Sequence, residues 1–151
     1  MAKRPTKQPT FKTRRLVVRP WSKGDLEAAY ALYSDADNLR YWNAVAHTTL
    51  DETKRAMRWH VAYRPQYYAI WAVEERKTGR VIGMVNYHHR FTEQKRVDVG
   101  WLILASHQGK GLTAEAMRPV LKHLFETVGA HKVEALIMPA KPDAILSSPK
   151  A

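Results

Sequence analysis

The 151-residue chain contains no cysteine. That excludes disulfides, thiolate metal sites and a cysteine acyl-enzyme. Acid is scarce: 14 Asp and Glu stand against 25 Lys and Arg, for a formal net charge of +11. A surface this basic repels a polycationic ligand and suits an anionic one, nucleic acid included. No apolar run approaches the roughly 18 residues that a membrane span needs. The basic first ten residues lack the apolar stretch of a secretory signal, so the cytoplasm is the expected compartment and no membrane partner is expected. The seven histidines are scattered, with His88-His89 the one adjacent pair. None of their spacings resembles a zinc site, and no metal is expected.

What is present reads as one ordinary globular domain, with 45% hydrophobic and 26% charged residues. Residues 1–10 hold prolines and basic side chains without periodicity, and predict a flexible basic tail. Phe11 to Arg19 predicts a first strand that Pro20 ends. Ser22 and Asp25 form a capping-box pair, and Leu26, Ala29, Tyr30 and Tyr33 then mark one face of a helix. Thr49 or Asp51 caps a second helix reaching about Tyr63. Three strands follow, Tyr67 to Glu75, Val81 to His89 and Val97 to Leu104, with Gly79 in the first turn between them. A further helix carries Val120, Leu121, Leu124, Phe125 and Val128 and is capped by Gly129, with a bend expected at Pro119. Lys132 to Met138 predicts the last strand.

The chain is organised around the turn between the third of those strands and that helix: Ser106-His107-Gln108-Gly109-Lys110-Gly111-Leu112-Thr113-Ala114-Glu115-Ala116. Two glycines one residue apart, where a strand runs into a helix, let the backbone approach a ligand closely. The first-turn N–H groups there favour an anion, phosphate above all. A tight turn needing glycine for steric reasons alone is the alternative. A nucleotide P-loop is ruled out, because Lys110 is followed by Gly111 instead of Ser or Thr.

Gln108 to Ala116 resembles the loop of the GCN5-related N-acetyltransferases, in particular the ribosomal-protein-alanine acetyltransferase branch. Asp98-Val99-Gly100-Trp101-Leu102 is similar to that family's strand before the loop, and Thr13 to Trp21 to its opening strand. The resemblance covers roughly residues 11–139, the acetyltransferase-like domain. It implies an α+β fold of three layers, with a mixed, mostly antiparallel sheet flanked by helices. It also implies transfer of an acetyl group from acetyl-CoA to a primary amine, a protein N-terminal α-amino group first among acceptors, with ribosome association as a corollary. The family continues with a helix opening on Asn-x-x-Ser and two more strands. Here the matching stretch is Lys141-Pro142-Asp143-Ala144, and residues 140–151 are expected to be a divergent or truncated C-terminal segment. Two other readings stay open: an inactive acyl-CoA-binding domain, and a basic ribosome- or nucleic-acid-binding module. Monomer and homodimer are equally open.

By the same resemblance, main-chain groups of Leu102, Ile103 and Leu104 would meet the pantetheine arm. Gln108, Gly109, Lys110, Gly111, Leu112 and Thr113 would hold the pyrophosphate. Tyr41 and Trp42 would line the acceptor cleft, unless they are simply packed under a loop. Asp98 is the candidate base, acting through water, or else a solvent-facing strand residue. His88 or His89 could serve in that role, but the two point to opposite faces of their strand, so one at most can face the cleft. Glu115 is expected to favour the helix N-terminus or to structure the loop.

Overall fold

The computed structural model describes residues 7–40, 44–91 and 95–135. Among these residues six strands form one sheet in sequence order. They are β1 (Phe11–Lys12), β2 (Leu16–Pro20), β3 (Tyr68–Glu75), β4 (Val81–Phe91), β5 (Arg96–Ile103) and β6 (Lys132–Ala135). The pairings from β1 to β5 are antiparallel, and β5–β6 is parallel. The expected α+β class with a mixed, mostly antiparallel sheet is what the chain adopts.

Two helices cover one face. A 3-10 turn at Lys23–Asp25 leads into α1 (Leu26–Tyr33), and α2 (Leu50–Val61) follows. Asp25 accepts the Ser22 N–H at 2.9 Å, the capping contact the sequence suggests. It also receives both terminal nitrogens of Arg19, at 2.9 and 3.0 Å, while the Arg19 Nε reaches Glu74 at 3.0 Å. This ties the start of α1 to β2 and β3. Trp21, Ala29, Leu32 and Met57 pack against Ala72, Met84 and Leu102 of the sheet. On the opposite face α3 (Leu112–His123) buries Leu112, Ala116, Met117 and Val120 against Trp71, Val85, Tyr87 and Val99. Cores on both faces fix the curvature of the sheet, and that sets where β5 delivers its end.

The first strand is split. Thr13 accepts the Leu16 N–H at 3.0 Å on its side-chain oxygen, turning the chain so that Phe11 pairs back on Val18. Residues 8 and 9, read from the sequence as part of a flexible tail, pack against the sheet. Gln8 is buried and donates to the Ile70 carbonyl at 2.8 Å, and the Pro9 carbonyl accepts the Trp71 indole N–H at 2.8 Å. A fully buried indole needs an acceptor, and the Pro9 carbonyl supplies it. Pro119 does not interrupt α3, which runs on to His123 and then widens into a π turn over Leu124–Val128 before Gly129, at φ +87°. Met117 and Val120, on the core side of the helix at Pro119, are wholly buried, which holds the helix through the missing hydrogen bond.

Candidate active site

The glycine turn lies where β5 meets α3. Gly109 and Gly111 have φ of +77° and +74°, in the left-handed region that L side chains rarely adopt. Gly111 is the N-cap of α3, and no side chain caps it. The first internal bond of the helix runs from the Glu115 N–H to the Gly111 carbonyl at 3.1 Å. The N–H groups of Leu112, Thr113 and Ala114 therefore point out of the helix end, where the dipole is positive.

A clasp from the turn between β1 and β2 holds this loop. Glu115 accepts from the Thr13 hydroxyl, from the Arg15 N–H at 2.9 Å and from the Arg15 Nε at 2.7 Å. Arg15 also donates to the Lys110 carbonyl at 3.0 Å. Burial raises the Glu115 carboxyl, but the bonds from Thr13 and Arg15 outweigh it, and the group sits below the usual carboxylate value. Glu115 thus structures the loop, as expected. A second tie comes from buried Asn38. It donates to the Leu32 carbonyl at 3.1 Å, near the end of α1, and accepts the Ala105 N–H at 2.8 Å.

The end of β5 is specific about which main-chain groups are available. The Leu104 N–H donates to the Ile82 carbonyl and its carbonyl accepts the His107 N–H, both at 2.8 Å. In an antiparallel ladder bonded pairs alternate. With Met84 opposite Leu102 and Gly83 opposite Ile103, it is Trp101 and Ile103 whose main-chain groups turn away from β4. The Ile103 carbonyl accepts the Gln108 side-chain amide at 3.1 Å. Of Leu102, Ile103 and Leu104, only Ile103 keeps an N–H aimed off the ladder.

On the α1/α2 face, the register builds a patch in rows. Tyr68, His88 and Asp98 form one row across β3, β4 and β5, and Ile70, Asn86 and Gly100 form the next. The His88 Nε2 lies 3.8 Å from an Asp98 oxygen, and the Arg96 Nε lies 3.9 Å from the other. Asp98 is buried. The two residue types flagged for proton transfer are thus brought side by side. A Cβ on Gly100 would stand 3.0 Å from Asn86 Oδ1, so the glycine leaves that carboxamide its place. A cavity of about 200 Å³ opens here, lined by Trp59, Tyr68, Ile70, Asn86, Tyr87 and His88. Of these, only His88 is a site residue that sequence reasoning singles out. Tyr41 and Trp42 lie outside the described residues.

An acetyltransferase (GNAT) domain matches residues 15–144. The chain belongs to the GNAT acetyltransferase family. An uncharacterized N-acetyltransferase, YoaA of Bacillus subtilis, is 24% identical over 130 residues, covering 85% of this chain and 73% of YoaA. A GNAT-family acetyltransferase from Bacillus anthracis shares the fold with a TM-score of 0.79 at 22% identity, over 91% of this chain and 79% of that one. Spermidine N-acetyltransferase from Vibrio cholerae, solved with CoA and spermine, gives a TM-score of 0.75 at 21% identity, over 89% and 78% of the two chains. This GNAT acetyltransferase has no group of three His, Asp or Glu able to hold a metal among its described residues. None of its described helices is long and apolar enough to cross a membrane.

Proposed function

We propose that this chain moves the acetyl group of acetyl-CoA to a primary amine, with a protein N-terminal α-amino group as the acceptor. The observation that carries the reading is the uncapped N-terminus of α3 behind two left-handed glycines, next to a strand end with an outward N–H. Open N–H groups of this kind suit a pyrophosphate. The loop of residues 108–113 would hold it through main chain, with Lys110 adding charge.

The chemistry then follows the sheet edge. The Ile103 N–H, turned off the ladder, is the donor best placed for oxygen charge that develops on the thioester carbonyl. The acceptor enters from the α1/α2 face as an ammonium and must lose a proton before its lone pair attacks the carbonyl carbon. Asp98, with His88 beside it, takes that proton through water. The new C–N bond forms, the C–S bond breaks, and the proton that the nitrogen sheds on becoming an amide passes to the departing thiolate.

A thiol-release assay with acetyl-CoA and a free-N-terminal peptide tests this. Asp98→Asn is expected to lower kcat by about 10²–10⁴-fold, the usual share of a general base, while CoA affinity stays within twofold. No turnover by the intact chain with any amine would overturn the reading.

A further inference from the structure

The turn between β5 and α3 carries a group of reactive side chains that acetyl transfer does not use. The Ser106 hydroxyl lies 2.8 Å from His107 Nδ1, and His107 Nε2 lies 3.6 Å from a Glu75 oxygen at the end of β3. The other Glu75 oxygen accepts the Thr78 hydroxyl at 2.8 Å, from the hairpin turn between β3 and β4. Ser106 is exposed, while the side chain of His107 is 16% exposed and that of Glu75 24%. A hydroxyl open to solvent is thus backed by a sheltered imidazole, and the imidazole by a fixed carboxylate.

This order fixes the tautomer of the neutral imidazole. A carboxylate only accepts, so the nitrogen facing Glu75 carries the proton, and Nδ1 turns its lone pair to the Ser106 hydroxyl. The three groups stand as nucleophile, base and orienting acid. The His107–Glu75 separation exceeds a hydrogen bond, and such contacts tighten when a substrate binds. Two distant segments meet here. Glu75 is pinned by its N–H on the Arg80 carbonyl and by its own carbonyl under the Gly79 N–H, both at 2.8 Å. The Leu104 N–H, on the Ile82 carbonyl, brings the end of β5 to the same hairpin. A bond between the neighbours Ser106 and His107 alone would be a local turn contact. Glu75, reached across β4, is the part a turn contact does not need.

We propose that Ser106, with His107 as its base and Glu75 orienting the imidazole, is a nucleophile toward small activated esters, an esterase activity separate from acetyl transfer. Ser106 Oγ attacks the ester carbonyl carbon while His107 Nδ1 takes the hydroxyl proton. The bond to the leaving oxygen breaks and that oxygen receives the proton, leaving an acyl-serine. Water then attacks the acyl-serine, its proton passes through the same nitrogen to Oγ, and a carboxylic acid departs. An assisting base contributes about 10²–10⁴-fold. That serves an aryl ester, whose leaving oxygen is weakly basic, and falls short for an amide.

The full chain is treated with a fluorophosphonate and, separately, with p-nitrophenyl acetate, both without coenzyme or amine. One label per chain, placed on Ser106 by peptide mass, and continuing release of p-nitrophenol are expected. Ser106→Ala should abolish the label and slow hydrolysis about a hundredfold. His107→Gln should slow both by a similar factor, and Glu75→Gln by about tenfold, with circular dichroism unchanged in each. Residues that act as a unit are not additive, so Ser106→Ala/His107→Gln should hydrolyse no more slowly than either single variant. No label, a label on another residue, a label without continuing hydrolysis, hydrolysis that survives Ser106→Ala, or losses that multiply in the double variant would each overturn the proposal. None of these outcomes bears on the acetyl-transfer reading.

Discussion

The N-termini of α2 and α3 solve the same problem in opposite ways. At α2, the Thr49 hydroxyl accepts the Glu52 N–H at 3.3 Å, and the Glu52 carboxylate accepts the Thr48 N–H at 3.2 Å and its hydroxyl proton at 2.7 Å. Those bonds hold the Glu52 carboxyl below its ordinary value. At α3 a left-handed glycine stands where the cap would be, and no side chain closes the end. The acid of that helix, Glu115, is turned aside to grip Arg15 and Thr13. One helix satisfies itself; the other is braced from outside and left open. An exposed, uncapped helix end of this kind suits an anion.

Closing the open end should give the largest effect. Gly111→Asp places a capping carboxylate at the α3 N-terminus in a backbone region that aspartate tolerates. Acetyl-CoA affinity is expected to fall about a hundredfold, about 2.8 kcal/mol, while circular dichroism stays unchanged. Titration calorimetry checks it. Removing the brace comes next. Glu115→Ala strips three hydrogen bonds, two of them from Arg15, and should cost about 2–3 kcal/mol of stability. Glu115→Gln should recover part of it, read from thermal unfolding. Opening the closed end is the control: Thr49→Ala should cost about 1 kcal/mol and leave acetyl-CoA affinity untouched.

The smallest expected effect is one of pH. His60 and His123 are both buried, and burial lowers the basicity of each ring. His60 donates from Nδ1 to the Ala56 carbonyl at 3.0 Å, so its Nε2 accepts the Tyr33 hydroxyl at 2.6 Å. A group whose folded value is depressed leaves the unfolded chain holding more protons below the ordinary histidine value near 6.5. Stability should therefore be complete above about pH 6.5 and decline as pH falls below it. Melting temperatures from pH 7.5 to 5 check the sign, and His60→Gln should flatten the slope.

How much of this was legible in the sequence divides along the same line. The open helix end is local: a strand, two glycines and an apolar period of 3.6 lie within some 25 residues and need no partner to be recognised. Glu115 was legible as a loop residue, though its partners Thr13 and Arg15, a hundred positions away, were not. The α1/α2 face of the sheet is non-local. That His88 meets Asp98 and Asn86 meets Gly100 depends on how β4 pairs with β5, including a register shift between His89 and Phe91. A one-residue slip would turn every one of these side chains to the other face. Trp59 and Tyr68 read as an ordinary helix residue and an ordinary strand residue, because α2 reaches the sheet only in three dimensions. The docking of Gln8 and Pro9 escaped for the same reason: its signal is Trp71, some sixty residues on.

The most direct test of the account is a calorimetric titration of the 151-residue chain with acetyl-CoA, beside a Gly109→Val/Gly111→Val variant. Binding by the intact chain that the variant loses by a hundredfold or more is the predicted result. Equal binding by the two proteins, or none by the intact chain, would contradict the claim that the open end of α3 is the coenzyme site.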